Sequence, residues 1–248
     1  MNKLLYNSKN DRYFYLGYDE GTQSPRKEFE HQSRFITWEG RSASPDKNPY
    51  HTFEDILKGH EVPQTGNLMV DLDNLADAME DKGYVMLPVW KYEHGGACYR
   101  AAEGCPFPDY GFDSGLVGVI YEEVLPHEDP EHIKEMLKAE VYEEYTAWIE
   151  GNIFYVSEYS KDGELLDSIG GIYNQDFDDE IFVDALNDYF NAEISSMDAL
   201  EEVGYEYDFV YDEELDEDIR VEMSIEDRIQ MHQDDMEYNE PSHDEEER

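Results

Sequence analysis

The chain has 248 residues, of which 62 are Asp or Glu and 18 are Lys or Arg, so its formal net charge is −44. A charge of this size disfavours direct binding to nucleic-acid phosphates or anionic lipid. The sequence also has no apolar run of about 18 residues that would predict a transmembrane helix. Forty per cent of the residues are apolar, with 20 Tyr and 11 Phe. Because disordered acidic proteins are poor in aromatic residues, most of this chain is expected to fold.

Cysteine content and the N-terminal residues indicate a reducing compartment. Two Cys in 248 residues are too few for a disulfide scaffold. The first residues lack the apolar centre of a secretory signal peptide, so we expect a cytoplasmic location. Walker, GxGxxG and HExxH motifs are absent from the sequence, and no cofactor is expected.

The negative charge increases along the chain. Residues 1–50 carry a net charge of +1, the next three blocks of fifty carry −5, −11 and −11, and the last 48 residues carry −18. Proteins adapted to high salt are usually acidic over their whole surface, so this gradient disfavours salt adaptation but leaves it as a third alternative.

Two strands rich in aromatic residues are predicted first, at residues 12–18 and 34–38. A short helix is predicted at 53–58. A clearer helix is predicted from residue 71, because apolar residues recur at helical spacing until Gly83 supplies a stop.

A buried strand is predicted at residues 84–90, where Pro88 indicates an edge or a bulge. The following stretch, His94 to Ser114, contains four Gly and two Pro and predicts a long loop. Long loops within folded domains are usually functional or mobile. Another buried strand is predicted at 116–121.

The C-terminal half begins with the longest predicted helix, which starts at Pro130 and ends at Gly151. Next come a hairpin at 153–173, helices at 179–190 and 196–203, a strand at 205–211 and a weak amphipathic helix at 219–236. The order predicts an α+β fold of mainly antiparallel sheet with packed helices. We expect a body of residues 1–211, with a sub-boundary near 125–130, and an acidic, partly disordered tail of residues 212–248.

The predicted loop concentrates reactive side chains. Zinc would require His94, Cys98, Cys105 and a further ligand, but paired cysteines at short spacing are lacking. A cysteine nucleophile with His94 as its base is chemically conceivable. Ser114 lacks the flanking glycines of a nucleophile elbow. The favoured interpretation is a structural loop with no catalytic or metal-binding residues, and the alternative is a small enzyme that uses His94, Cys98, Asp113 and Ser114.

The acidic surface is the remaining candidate. Residues 101–200 contain 25 acidic and only 3 basic residues. Such crowding of like charges destabilises a folded chain, so the presence of these acidic residues indicates that they have a function. The acidic clusters lack the central glycine of an EF-hand loop. The candidate contact residues are Glu131, Glu135, Glu140, Glu143, Glu144 and Glu150 in the long helix, and Glu206, Asp208, Asp212, Glu213, Glu214, Asp216, Glu217 and Asp218 in the strand and tail.

The total charge is comparable with that of a short DNA duplex. Duplex DNA carries about one charge per 1.7 Å of axis, so 44 charges correspond to roughly 75 Å, or on the order of 20 base pairs. A protein of this charge could occupy a groove that normally holds nucleic acid and associate with it rapidly.

Several sequence pieces between residues 23 and 173 occur together in a distinctive order. They are Gln23-Ser24-Pro25-Arg26, Val85-Met86-Leu87-Pro88-Val89-Trp90-Lys91-Tyr92-Glu93-His94-Gly95-Gly96, Pro106-Phe107, Phe112-Asp113-Ser114-Gly115-Leu116-Val117-Gly118-Val119-Ile120-Tyr121, and Leu137-Lys138-Ala139-Glu140-Val141 continuing through the hairpin to Ile172-Tyr173. Through these pieces, the chain resembles a family of uncharacterised proteins from phages, plasmids and integrative elements. The resemblance covers about 60% of the chain. Members of that family have Trp-Asp-Ser-Gly-Gln where this chain has Phe112 and Leu116 around Asp113-Ser114-Gly115. The resemblance implies an accessory protein of a mobile element in a bacterial cytoplasm, and it implies no known activity.

These observations predict a non-enzymatic accessory protein that mimics nucleic acid. Its partner would be the basic groove of a host nucleic-acid-binding defence protein, such as a restriction or CRISPR effector. Neither direct contact with nucleic acid nor contact with a membrane is expected.

Overall fold

The structure, a computed structural model, describes residues 2–39, 44–108, 111–204, 206–212 and 217–239. The chain divides into two units. Unit 1 comprises residues 1–20 and 153–248, and unit 2 comprises residues 21–152. Unit 2 is therefore inserted within the sequence of unit 1. This division differs from the expected sub-boundary near 125–130, because it depends on which distant strands pair.

The described residues form both strands and helices. The strands are β1 (Lys3–Asn7), β2 (Arg12–Tyr18), β3 (Arg34–Thr37), β4 (Tyr84–Glu93), β5 (Ala97–Ala101), β6 (Ser114–Glu123), β7 (Ile153–Ser160), β8 (Leu165–Tyr173), β9 (Glu201–Val203), β10 (Tyr207–Asp212) and β11 (Glu217–Glu222). The α-helices are α1 (Pro25–Glu28), α2 (Phe53–Gly59), α3 (Leu68–Glu80), α4 (Pro130–Ala139), α5 (Ala147–Glu150), α6 (Asp179–Phe190) and α7 (Ile225–Asn239). A π-helical turn, Glu140–Thr146, joins α4 to α5, and we call residues 130–150 the long helix. These antiparallel sheets and packed helices confirm the α+β prediction.

Unit 1 is built on a five-stranded antiparallel sheet with the order β8-β7-β2-β1-β9. Helix α6 covers one face, where its Phe182 and Leu186 pack with Phe14 and Phe154. Helix α7 packs on the other face through Ile229. Both faces of the sheet are therefore covered by a helix. The hairpin β10–β11 forms a separate two-stranded sheet.

Unit 2 has a four-stranded antiparallel sheet with the order β3-β6-β4-β5. The long helix packs against one face through residues such as Leu137 and Tyr145. Helices α2 and α3 pack against the opposite face through Ile56 and Leu75. The alternation of side chains along β4 and β6 allows each strand to contribute to both cores.

Several elements differ from the sequence predictions. The stretch 94–114 is not one loop, because its residues 97–101 form β5 and pair with β4. Residues 196–203 form a 3₁₀ turn, Met197–Ala199, and then β9, rather than a helix. The weak helix predicted at 219–236 starts only at Ile225, since residues 217–222 form β11. Strand β1 was not predicted. Each of these strands gains its pairing from a partner that local periodicity does not reveal.

Candidate interaction surface

His94 and Asp113 form a pair at the end of the β4–β5 hairpin. The Nδ1 atom of His94 lies 3.2 Å from Oδ2 of Asp113, and the imidazole stacks on the ring of Tyr92. The two side chains are 73% and 43% exposed. Catalytic acid–base pairs generally operate in enclosed sites where water is limited, so this exposure does not favour the enzymatic alternative.

The other reactive side chains of this region have different neighbours. Ser114 is buried, and its Oγ atom lies 3.8 Å from Sγ of Cys105. Cys98 lies opposite Tyr92 in the β4–β5 register, and neither cysteine is in a disulfide. In the part of the chain that the structure describes, no group of three or more His, Cys, Asp or Glu side chains could hold a metal ion.

The first acids of the long helix are paired with lysines of the same helix. Glu131 accepts a hydrogen bond from Lys134 at 2.9 Å, and Glu135 accepts one from Lys138 at 2.7 Å. All four side chains lie on or near the surface, where such pairs contribute little to stability. Their charges nevertheless cancel locally, which weakens the field that they present to a partner.

Glu140 is buried rather than presented at the surface. Its Oε2 atom accepts a hydrogen bond from Nη1 of Arg26 at 2.7 Å and another from the hydroxyl of Ser33. Arg26, whose side chain is 3% exposed, also donates to Asp46 Oδ2 at 2.6 Å. A buried charge requires such partners, because it has lost its hydration. The role of Glu140 is therefore structural.

Glu144 lies one turn further along and has a different environment. Its Oε2 atom is 3.2 Å from Nε2 of His31. Burial, together with the negative charge of Glu140, raises the pKa of Glu144 to about 7. Burial and the nearby Arg26 guanidinium lower the pKa of His31. Glu144 is therefore a weak source of negative charge near neutral pH.

The remaining predicted contact residues divide into three groups. Glu143 is exposed, whereas Glu150 accepts a hydrogen bond from the backbone amide of Ala97. Glu206 is exposed. Asp208, Asp212, Glu217 and Asp218 lie in β10 and β11, with only their backbone described. Glu213, Glu214 and Asp216 lie outside the described residues.

A longer acidic segment lies elsewhere in unit 1. Residues 162–219 contain 21 Asp and Glu but no Lys, Arg or His. The 14 acidic residues between 162 and 206 are all exposed. The sequence signal for this segment is an unusually long stretch without a basic residue. The contact residues predicted from the sequence lie instead in the long helix, before the segment, and at residues 206–218, near its end.

One part of this segment surrounds α6. Eight carboxylates occur in residues 176–198, which we call the acidic helix layer, and they belong to Asp176, Asp178, Asp179, Glu180, Asp184, Asp188, Glu193 and Asp198. The axis of α6 is about 18 Å long at 1.5 Å per residue. Four of these carboxylates lie in α6 itself, which is about one charge per 4.5 Å of its axis, whereas duplex DNA carries about one per 1.7 Å.

Local structure holds α6 in a defined position under these charges. Asp178 caps the helix by accepting a hydrogen bond from the amide of Glu180 at 2.9 Å. Asn187 donates to the carbonyl of Ile194 and accepts from its amide, which fixes the chain that follows the helix. The carboxylates of Asp179, Glu180, Asp184 and Asp188 are thus displayed on a helix that is held at both ends.

Ion pairing in unit 1 involves other acids. Glu158 pairs with Arg12 at 3.5 Å, and Glu202 pairs with Lys3 at 3.0 Å. Among the described residues, Glu180, Asp184 and Asp188 of α6 take part in no ion pair. Their charges remain available to a basic partner.

Large apolar side chains are exposed within the acidic helix layer. Tyr189 is 67% exposed, and Phe177 and Ile181 are also exposed. Aromatic residues are enriched where protein interfaces derive most of their binding energy. A surface of carboxylates and aromatic side chains is suited to a basic protein partner.

The charge is unequally divided between the units. Unit 1 has 36 acidic and 7 basic residues, a net charge of −29, whereas unit 2 has 26 and 11, a net charge of −15. Unit 1 carries most of the charge although it is the shorter of the two. The acidic helix layer belongs to this unit.

Comparison with protein-family models, with curated proteins and with solved structures finds no match to this chain. Of the helices in the described part of the chain, none is both long enough and apolar enough to cross a membrane.

Proposed function

We propose that the protein is a non-enzymatic accessory protein of a mobile element that inhibits a host nucleic-acid-binding defence protein by occupying its basic groove. A restriction or CRISPR effector has the required kind of groove. The observation that carries this proposal is the acidic helix layer, in which eight acids occur without a basic residue. Action in the cytoplasm of a bacterial host is part of the same proposal.

Electrostatic attraction gives such a protein two advantages over a neutral ligand. A concentrated negative field increases the rate of encounter with a basic groove. It also selects against acidic partners, since like charges brought together cost several kcal/mol. The exposed Tyr189 and Phe177 would add contact energy that nucleic acid alone lacks.

The proposed contact surface is centred on unit 1 rather than on the long helix. Glu131, Glu135 and Glu140 are already paired with Lys or Arg. The unpaired acids of α6 and the exposed Glu206 do not require such pairs to be broken before binding.

Affinity capture from host lysate followed by competition with DNA tests the proposal. A captured protein should be retained at low salt, released at high salt and displaced by a duplex of about 20 base pairs, because both ligands would use the same phosphate-binding groove. Neutralising Asp179, Glu180, Asp184 and Asp188 to the corresponding amides should abolish capture.

The matched control neutralises Glu131, Glu135 and Glu143 on the long helix, which should leave capture almost unchanged. Capture that persists equally at low and high salt would contradict the proposal. So would a captured protein that duplex DNA fails to displace, or a larger effect of the long-helix control than of the α6 variant.

A further inference from the structure

Strand β4 of unit 2 is only partly covered by its neighbour β5. Residues 89–93 of β4 pair with residues 97–101 of β5, whereas residues 84–88 pair only with β6 on the opposite side. The β5 chain leaves the sheet after the amide of Ala102 donates to the carbonyl of Pro88 at 3.0 Å. Across the described residues, the first half of β4 thus has no strand along this edge.

The hydrogen-bond pattern identifies the backbone groups of the open edge. Val124 donates to the carbonyl of Gly83 on the β6 side, and Ala102 donates to the carbonyl of Pro88 on the β5 side. Because alternate residues of a strand direct their amides and carbonyls to opposite edges, Tyr84 and Met86 direct theirs away from β6. These are the groups that an added strand would pair with.

A cavity of about 670 Å³ lies along this edge. Val85, Met86 and Pro88 of β4 line it, together with Leu72 and Ala76 of α3. Pro130 and Lys134 of α4 also contribute to its lining. Since α3 and α4 cover opposite faces of the sheet, the cavity lies where a longer β5 would run beside residues 84–88 of β4. Its volume falls within the range of pockets that hold ligands.

The charges around the cavity favour a basic occupant. Asp73, Asp77 and Glu80 of α3 line it and are exposed. Glu103 and Glu131 line it near α4. There, Nζ of Lys134 lies 3.4 Å from Oε1 of Glu103 and 2.9 Å from Oε1 of Glu131. The α3 side is therefore purely acidic, while the α4 side is partly neutralised.

We propose that this cavity binds an extended basic segment of a partner protein, which adds to β4 as a strand along residues 84–88. Side chains of a strand alternate between the two faces of a sheet. Lys or Arg side chains directed toward α3 would lay their aliphatic parts over Leu72 and Ala76 and place their charges near Asp73, Asp77 and Glu80. The intervening residues would be apolar and face α4.

Charge argues against an occupant from this protein itself. A second copy carries a net charge of −44, and the last nine residues of the chain contain five acids and one Arg. Either would bring negative charge toward the carboxylates of α3, which is unfavourable. A basic segment of another protein is the occupant that this surface fits.

A synthetic peptide of about seven alternating Lys and Val residues, a length that spans the open edge, tests the proposal with the full-length protein. Isothermal titration calorimetry should detect one binding site. Two further peptides carry backbone N-methyl groups, one on every Lys and the other on every Val. Because these amides point to opposite edges of the peptide strand, one methylated peptide should lose binding and the other should retain it. Equal binding or equal loss with the two methylated peptides would overturn the proposal.

Protein variants separate this site from the acidic helix layer. Replacing Asp73, Asp77 and Glu80 by the corresponding amides should weaken peptide binding by about tenfold. Replacing Asp179, Glu180 and Asp184 in unit 1 should leave peptide binding unchanged but abolish capture of the nucleic-acid-binding protein. If the α6 variant loses peptide affinity and the α3 variant retains it, the peptide binds the acidic helix layer and this proposal is wrong.

Discussion

Two glutamates on successive turns of the long helix have different electrostatic environments, because different side chains lie beside them. Glu140 faces Arg26, whose side chain is almost completely buried and which also pairs with Asp46. Glu144 faces the imidazole of His31 instead, and its burial is not offset by a permanent positive charge at hydrogen-bond distance. Burial therefore raises the pKa of Glu144 to about 7.

The raised pKa of Glu144 predicts a pH-dependent contribution to stability. The folded protein retains this proton up to about pH 7, whereas a glutamate in the unfolded chain loses it near the ordinary value of 4.5. The stabilisation is complete below pH 4.5 and is lost as the pH rises through 7. Glu144→Gln, which cannot ionise, should therefore be more stable than wild type at pH 8, on the order of 1 kcal/mol after allowance for partial exposure.

Urea unfolding at pH 6 and pH 8 measures this difference. The gain from Glu144→Gln should be larger at pH 8 than at pH 6. Glu135→Gln is the matched control, because Glu135 is exposed on the same helix and does not contribute to the pKa of Glu144, so it should show no such pH dependence. An equal effect of Glu144→Gln at both pH values would contradict a pKa raised by burial among the facing groups Glu140, Glu143, Arg26 and His31.

At the scale of elements, the pairing of β3 with β6 depends on a residue without a side chain. A Cβ atom at Gly118 would overlap the backbone carbonyl oxygen of Ile36 on β3. Backbone atoms in a paired strand cannot move aside as a flexible side chain can. Gly118 therefore allows the close approach of the two strands.

Gly118→Ala should destabilise unit 2 by about 2 kcal/mol, because the added methyl group must separate β3 from β6. Thermal or urea unfolding measures the change. Gly115→Ala is the control in the same strand, since its Cβ would meet no atom within 4 Å; its effect should remain within about 0.5 kcal/mol. Comparable stability of the two variants would show that β3 and β6 can adjust.

Elements with strong local patterns were well predicted from the sequence. The long helix begins at Pro130 as expected and ends at Gly151, which has the left-handed φ of 75°. The hairpin β7–β8 also lies where it was predicted. By contrast, β5 lies among glycines in a stretch with the composition of a loop, and it becomes a strand because β4 supplies its hydrogen bonds.

At the scale of the molecule, the unequal charge of the two units has a consequence for stability. Unit 1 carries −29 and unit 2 carries −15. Repulsion among like charges destabilises a folded unit, and salt reduces this repulsion. Added salt should therefore stabilise unit 1 more than unit 2.

Hydrogen exchange of the full-length protein at low and high salt measures this difference. Amides of β2 and β7 in unit 1 should gain roughly tenfold more protection on addition of salt than amides of β4 and β6 in unit 2. The variant with neutralised Asp179, Glu180, Asp184 and Asp188 should show a smaller salt response in unit 1. A uniform response of both units would indicate that the repulsion acts on the molecule as a whole.

Residue order alone predicts the size of the charge, its increase toward the C-terminus, the α+β class and the positions of the strongly periodic elements. These properties depend on residue type and on neighbours within a few positions. Which carboxylates remain unpaired depends instead on how distant segments pack. Glu140 is neutralised by Arg26, which is 114 positions away, while Glu180, Asp184 and Asp188 face no such partner among the described residues. Which strands pair was likewise decided by contacts between distant segments, since β1 lies between β2 and β9. Local periodicity cannot encode these contacts, because they arise only when the separated segments pack together.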